Sequence, residues 1–183
     1  QSIQELMGYE GNIRKTYYSA WPVIIDQEIE FEKRVKNPPD NMVNTLISFV
    51  NTLIYTKVLG EIYQTQLNPT VSYLHEPGDR RFSLSLDLAE IFKPILGDRL
   101  IFSLLNRKQI TEKNFTKGLN YLHLSQNASK TIVAELDAKM QTTIKHKALN
   151  KTVSYQYLMR LECYKLVKHL LGEKVYEPFE IWW

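Results

Sequence analysis

The sequence contains one cysteine, Cys163, so it can form no internal disulfide. This excludes a small disulfide-stapled fold, and a single unpaired thiol is typical of a protein in a reducing cytoplasm, where we expect this one to be located. Apolar neighbours at helical spacing, Leu161 and Leu166, predict that Cys163 is a small buried side chain. Hydrophobic residues make up 44% of the chain, which is enough for one ordinary globular core.

The chain also lacks a long uninterrupted apolar run. A membrane-spanning helix needs about 18–20 apolar residues in succession, and no stretch reaches that length. The longest, from Met42 to Leu59, is broken by Asn44, Thr45, Ser48, Asn51, Thr52 and Lys57. We therefore expect no membrane partner. The chain begins at Gln1 without Met and without a signal-peptide pattern, so we expect it to be a fragment or a processed form.

Neither charge nor a familiar motif indicates a function. There are 23 basic and 20 acidic residues, a balance that is compatible with nucleic-acid binding and does not argue for it. The sequence contains no P-loop, no G-x-G-x-x-G, no G-x-S-x-G and no C-x-x-C. The usual signatures of nucleotide-binding loops, of hydrolase serines and of cysteine-bound zinc are thus all missing.

Apolar residues recur at spacings of three and four, which predicts a predominantly α-helical fold. The predicted helices run from 2 to 20, 41 to 66, 83 to 92, 95 to 107, 129 to 147 and 154 to 171. Ser2 and Asp40 are expected to cap the first two, and Lys93-Pro94 to interrupt the third so that it resumes on a new axis. Residues 121–124 fit a short strand. We expect an all-α fold with at most one short strand pair, forming one helical catalytic domain over 1–183.

Three places carry side chains suited to chemistry. Glu10 lies four residues before Arg14, a spacing that by itself indicates a surface ion pair. His75 lies in an irregular loop, 68–82, that leads directly into a helix. Asp87 and Glu90 are three residues apart on one face of an apolar helix, where two carboxylates would be costly to bury without a cation.

Together, two or three carboxylates and one imidazole suit Mn²⁺ or Mg²⁺, which prefer oxygen ligands and keep positions for water and phosphate. Zinc would more typically have several Cys or His ligands. The alternative from the residues alone is a helical interaction module without catalysis, in which the Glu10–Arg14 pair and the Asp87/Glu90 face are solvated.

Several segments, in this order and spacing, resemble the CRISPR-associated integrase of spacer acquisition. They are GYEGNIR (8–14), PDNMVN (39–44), LH (74–75), SLSLDLAEIFKP (83–94) and YEPFEIWW (176–183). The resemblance covers essentially the whole chain. It corresponds only to the helical C-terminal domain of that family, whose β-rich N-terminal domain is absent here.

The resemblance places Glu10, His75 and Glu90 on the family's catalytic metal ligands and Asp87 on its accessory carboxylate. Glu90 stands where many relatives have Asp, which adds one methylene of reach. Three further residues in matching segments would support the ligand shell or DNA phosphates: Arg14, Asn44 and Lys93. Candidates for holding the DNA duplex are Arg80, Arg81, Arg99, Arg107 and Lys108.

The resemblance implies a DNA endonuclease and integrase dependent on Mn²⁺ or Mg²⁺ that inserts captured DNA fragments as new spacers into a CRISPR repeat array, in prokaryotic antiviral defence. The implied partners are DNA, a second copy of the full-length protein and the small partner protein of the adaptation complex. A structure-selective DNA nuclease would share the same site and differ only in making no joined products.

Overall fold

The computed structural model describes residues 2–36, 38–75, 81–118, 122–147 and 149–181. The α-helices in these ranges are α1 (Ile3–Ser19), α2 (Trp21–Ile24), α3 (Met42–Ile62), α4 (Ser83–Phe92), α5 (Arg99–Asn106), α6 (Gln126–Gln141) and α7 (Tyr155–Leu170). The described part also contains a π-helix (Lys93–Asp98), a 3₁₀ helix (Glu112–Asn114) and two antiparallel strand pairs, β1 (Phe115–Lys117) with β2 (Leu122–Leu124) and β3 (Thr143–His146) with β4 (Lys151–Ser154). The predicted helical fold class is confirmed, with a second strand pair that the sequence did not reveal.

Capping residues fix the ends of α1 and α7 where the sequence predicted them. The Ser2 hydroxyl accepts a hydrogen bond from the Glu5 backbone N–H, and the Glu5 carboxylate accepts one from the Ser2 N–H, which together form a capping box. The Ser154 hydroxyl accepts from Tyr157 N–H at the start of α7. Just beyond its end, Gly172 has φ of 73°, a left-handed conformation that suits glycine.

Several predicted helix boundaries are wrong: α3 ends at Ile62 and not at residue 66, and α6 begins at Gln126 and not at residue 129. The cap of α3 is Asn41 rather than Asp40, because the Asn41 side-chain oxygen accepts from the Asn44 N–H at 2.9 Å. Helix α6 ends at Gln141 and not at Lys147, because the chain turns there into β3. In that strand the alternation of period two turns Ile144 and His146 to the same face, which favours a half-buried strand over a continued helix.

The prediction that Lys93-Pro94 interrupts the helix is wrong. Residues Lys93–Asp98 form a π-helix that connects α4 to α5, so helical geometry continues from Ser83 to Asn106. Inside an α-helix, a proline ring clashes with the carbonyl four residues earlier and supplies no N–H. A wider turn moves that carbonyl away, which accounts for a π segment at this position.

The chain divides into two compact units, each made of two separated stretches. The first contains Gln1–Val50 and Asp98–Val133, and the second contains Asn51–Gly97 and Ala134–Trp183. An aromatic cluster, Tyr18, Trp21, Phe31 and Phe102, forms the core of the first. In the second, α4 packs against α7, and Cys163 is fully buried there, as predicted.

Helix α3 is the one described helix long and apolar enough, by length and composition alone, to cross a membrane. Half of its most apolar window is nevertheless buried within the protein. Its fully buried residues include Leu46, Ile47, Val50, Ile54 and Ile62. Burial of this kind is what a core helix requires.

Candidate metal centre

Asp87, on α4 in the second unit, holds the loop that carries His75. One carboxylate oxygen accepts the backbone N–H groups of Tyr73 at 2.7 Å and Leu74 at 3.1 Å. The other accepts the His75 N–H at 3.2 Å. Hydrogen bonds to an ionised carboxylate are stronger than neutral ones, so three successive amides converging on one side chain fix the path of this loop.

The same carboxylate also orients the His75 ring, whose Nδ1 lies 2.6 Å from an Asp87 oxygen. Because an ionised carboxylate can only accept, the neutral form of the ring would carry its proton on Nδ1 and its lone pair on Nε2. Metal-binding histidines commonly donate their other ring N–H to a carboxylate in this way. The His75 side chain is 23% exposed, so the ring is held without being sealed from solvent.

Glu90 lies one turn after Asp87 on α4 and forms an ion pair with Lys93, the first residue of the π segment. The two side chains are only 21% and 14% exposed, respectively. A carboxylate so shielded from water requires a compensating cation, which Lys93 supplies in this structure.

Glu10, in the first unit, is paired with Arg14, as its spacing predicted. The Arg14 Nε lies 2.8 Å from a Glu10 carboxylate oxygen, and both side chains are about one-third exposed. Burial alone would lower the pKa of Arg14, but the hydrogen bond to Glu10 and the charges around it outweigh that effect and raise it. Arg14 is therefore a permanent cation beside Glu10.

The predicted ligands are thus distributed over both units, Glu10 in the first and His75 with Glu90 in the second. Among the described residues of each unit, there is no group of three His, Cys, Asp or Glu side chains that could hold a metal ion. Each unit carries part of the predicted set, with every predicted carboxylate ligand next to a basic side chain.

Asn44, predicted as an accessory residue, is fully buried and fills its hydrogen-bonding capacity within the connector before α3. Its side-chain N–H₂ donates to Lys33 C=O and to Asp40, and its oxygen accepts from Val35 N–H and Arg34. This network gives Asn44 a structural role in the connector.

The candidate DNA-binding residues have varied surroundings. The Arg81 guanidinium lies 5.4 Å from the centre of the Phe82 ring, and Arg107 donates to the Ser103 hydroxyl at 2.7 Å. Lys108 is exposed and has φ of 54°, and Arg99 is half-buried at the start of α5. Arg80 lies outside the described residues.

Two structural features near the candidate residues were not predicted from the sequence. The backbone amides of Tyr73 and Leu74 belong to the Asp87 network, and no side-chain pattern could have indicated them. Buried Asp98 was also overlooked. Burial and then the charge of Asp98 raise the pKa of Tyr17 and of Tyr18 on α1, so both hydroxyls remain protonated.

A family model described as CRISPR associated protein Cas1 matches residues 1–138. The CRISPR-associated endonuclease Cas1 of Fusobacterium nucleatum subsp. nucleatum is 69% identical over 182 residues, which cover 100% of this chain and 54% of that protein. A solved Cas1 protein from Thermotoga maritima superimposes with a TM-score of 0.88 at 46% identity, covering 96% of this chain and 54% of that one.

A casposase bound to integration product has a TM-score of 0.87 at 24% identity, over 98% of this chain and 53% of its own, which shows a shared fold. This chain spans about half the length of the curated relatives that it matches.

Proposed function

This chain belongs to the Cas1 family, and from that premise we propose that it carries the catalytic residues of a metal-dependent DNA endonuclease and integrase. The proposed reaction inserts captured DNA fragments as new spacers into a CRISPR repeat array. It would take place in the cytoplasm, as part of a full-length protein that pairs with a second copy and with the small partner protein of the adaptation complex. The proposed metal ligands are Glu10, His75 and Glu90, and the metal is Mn²⁺ or Mg²⁺.

The observation that carries this proposal is the Asp87–His75 arrangement. Asp87 holds Nδ1 of the ring and three backbone amides of its loop, so the Nε2 lone pair is presented in a fixed direction. A metal-binding histidine gains basicity and a defined tautomer from such a carboxylate. The donor set of carboxylates and one imidazole suits Mn²⁺ or Mg²⁺.

Arg14 and Lys93, the basic partners of the proposed carboxylate ligands, are proposed to bind DNA phosphates. Arg14 forms an ion pair with Glu10, and Lys93 forms one with Glu90. Glu10 and Glu90 would help to hold a divalent cation, whose charge would balance the carboxylates, and Arg14 and Lys93 would then be available to a DNA phosphate. Metal uptake and phosphate binding would then reinforce each other at the same two helices.

A bound divalent cation supplies Lewis acidity, polarising the target phosphodiester and favouring attack by a 3′-hydroxyl for joining or by water for cleavage. Side chains of the protein orient the metal ligand and bind the DNA. Asp87 keeps His75 oriented, Arg14 and Lys93 bind phosphate oxygens, and the exposed basic side chains Arg81, Arg107 and Lys108 hold the duplex through its backbone.

Replacing Glu10 with Ala in the full-length protein tests the proposal. We expect cleavage and strand transfer of a labelled DNA substrate with Mn²⁺ to fall below detection, because a ligand is lost. Helical circular dichroism should be unchanged, since alanine favours helix. The matched control is Glu173→Ala, which removes an exposed carboxylate in the second unit and should keep wild-type activity.

Full activity in Glu10→Ala would refute the assignment, and indifference of the wild-type melting temperature to Mn²⁺ would favour a non-catalytic helical module. Cleavage without joined products would identify a structure-selective nuclease instead.

A further inference from the structure

Helix α1 carries an apolar stripe that is exposed to solvent. Leu6, Tyr9, Ile13 and Tyr17 recur at spacings of three and four, which places them along one side of the helix. Leu6 is 46% exposed, Tyr9 59% and Ile13 69%, although such a stripe ordinarily faces a core. A groove of about 480 Å³ is lined by two of them, Ile13 and Tyr17. We call these four residues the α1 stripe.

The rest of the first unit supports α1 at the C-terminal end of the helix. Tyr18 is buried there, with its ring centre 5.2 Å from that of Trp21 and 5.9 Å from that of Phe31. In contrast, every residue from 3 to 9 is exposed. The N-terminal turns of α1 therefore present apolar side chains that the described residues leave in water.

Exposed apolar surface of this kind marks an interaction site, and the relatives indicate what could cover it. This chain matches the C-terminal part of two curated relatives and covers 54% and 56% of their lengths, so a large part of each relative precedes the matching region. Helix α1 begins at Ile3, only three residues before Leu6. A chain that arrives from the preceding part thus reaches α1 next to the stripe.

The small area of the stripe favours a segment of the same polypeptide over a second copy of the protein. A stable interface between separate chains buries about 800 Å² on each partner. Four side chains that are already partly covered offer less than that, since even a whole aromatic side chain buries only about 150–250 Å². A tethered segment loses less translational and rotational freedom on docking, so a smaller area suffices.

We propose that the α1 stripe and its groove are the docking surface for the part of the same polypeptide that precedes Gln1, which covers them with apolar side chains. The stripe contains no charged residue, which suits an apolar occupant. Docking also fixes the turns of α1 that carry Glu10. That consequence rests on the proposed function, because a metal ligand must be held to within about 0.5 Å of its working position.

The test places the photo-crosslinking amino acid benzoylphenylalanine at position 13 of the full-length protein, in place of Ile13. Crosslinked peptides are identified by mass spectrometry, and a mixture of unlabelled and heavy-isotope-labelled protein distinguishes contacts within one chain from contacts between copies. We expect crosslinks within one chain to residues that precede Gln1. The matched control carries the probe in place of Lys15, which is exposed on the opposite side of α1, and should give few such crosslinks.

Three crosslinking results would overturn the proposal. They are crosslinks from position 13 to a second copy, crosslinks to residues within this chain alone, and no crosslinks at all.

Hydrogen exchange of the α1 amides in the full-length protein gives a second measurement. The triple variant Leu6→Ala, Tyr9→Ala and Ile13→Ala should exchange at least about tenfold faster in α1, because three side chains lose their burial against the docked segment. Alanine favours helix, so faster exchange would reflect lost docking and not a lower helix propensity. Unchanged exchange in this variant would contradict the proposal.

The control for the exchange experiment is Leu170→Ala, Leu171→Ala and Val175→Ala. It removes three exposed apolar side chains from the second unit and should leave exchange in α1 unchanged. An equal acceleration in this control would mean that α1 responds to general destabilisation, and the docking surface would be rejected.

Failure of the proposed function gives a different result. If position 13 crosslinks to the preceding part while wild-type protein neither cleaves nor joins DNA, the docking surface stands and the catalytic proposal falls. If Glu10→Ala abolishes cleavage while position 13 gives no such crosslink, the catalytic proposal stands and the docking surface falls.

Discussion

Asp87 and Glu90 are one helical turn apart and have different partners. Asp87 engages three backbone amides and the His75 ring, so its acceptor capacity is already used. Glu90 instead forms an ion pair with the Lys93 ammonium. A carboxylate that fixes a loop is suited to orienting a ligand, whereas one that is balanced by a single cation is suited to exchanging that cation for a metal ion.

This difference predicts different effects for two isosteric substitutions. Glu90→Gln should lose Mn²⁺ binding almost completely in calorimetric titration. Asp87→Asn should retain measurable binding, with activity reduced about 10–100-fold, as when other residues that orient a metal ligand are removed. The amide introduced at position 87 has only one acceptor atom and would loosen the loop around His75.

Glu173→Gln serves as the control for both and should titrate like the wild type. Loss of binding in Asp87→Asn together with normal binding in Glu90→Gln would mean that the two roles are exchanged.

The sequence was informative about single residues where spacing decides the contact. The Glu10–Arg14 pair follows from an i,i+4 spacing, and the shared face of Asp87 and Glu90 follows from an i,i+3 spacing. The link between Asp87 and His75 spans twelve residues and depends on the path of a loop. Helical periodicity carries no information about that path, so only the resemblance to a family associated these residues.

At the level of elements, helix ends were predictable where a cap residue stands at the boundary. Ser2, Ser154 and Gly172 are such residues. The β3–β4 hairpin was missed because its strands are four residues each, too short for period two to be distinguished from an amphipathic helix. The π segment at Pro94 was also unforeseen, since a proline predicts only that regular α geometry stops.

The chain after α7 is held by one buried carboxylate. Glu162 is fully buried, and one of its oxygens accepts the Tyr176 hydroxyl at 3.0 Å and the Phe179 N–H at 3.1 Å. Lys165 forms an ion pair with the other oxygen at 2.5 Å. Burial and the nearby Glu162 raise the pKa of Tyr176 above its ordinary range, so its hydroxyl remains a donor.

We therefore expect Glu162→Ala to release this segment. The buried Phe179 N–H and the part-buried Tyr176 hydroxyl would lose their acceptor, which should lower the free energy of unfolding by about 2–4 kcal/mol in urea titration. Hydrogen exchange of the Phe179 amide should accelerate. The control Glu177→Ala removes an exposed carboxylate from the same segment and should change neither quantity. Unchanged protection of Phe179 in Glu162→Ala would show that apolar packing alone holds the segment.

At the level of the whole molecule, each unit is composed of stretches that are distant in sequence. A chain that ends at Val133 contains both stretches of the first unit and only one of the second. In that unit it lacks α7, against which α4 packs, so apolar surface that α4 buries there would be exposed to water. Burial of a leucine side chain stabilises by about 1.5–3 kcal/mol, and most small domains do not tolerate the loss of several such residues.

We expect this truncated chain to lose the helical circular dichroism of residues 51–97 and to melt over a broad range, compared with one sharp transition for residues 1–183. A truncated chain with a sharp transition and proportionate helix content would show that residues 51–97 fold without 134–183.

The interleaving of the two units also determines how much time passes, during synthesis, between the first stretch of a unit and the stretch that completes it. When Val50 leaves the ribosome, the stretch that completes its unit begins only at Asp98. At about 5–20 residues per second, translation of the intervening 51–97 takes roughly 2–10 s, which is long compared with helix formation in microseconds. During that interval the buried aromatic ring of Trp21 lacks Phe102, its partner from the second stretch. A nascent chain of this protein therefore exposes core residues for seconds, and chaperones that bind exposed aromatic segments have that time in which to act.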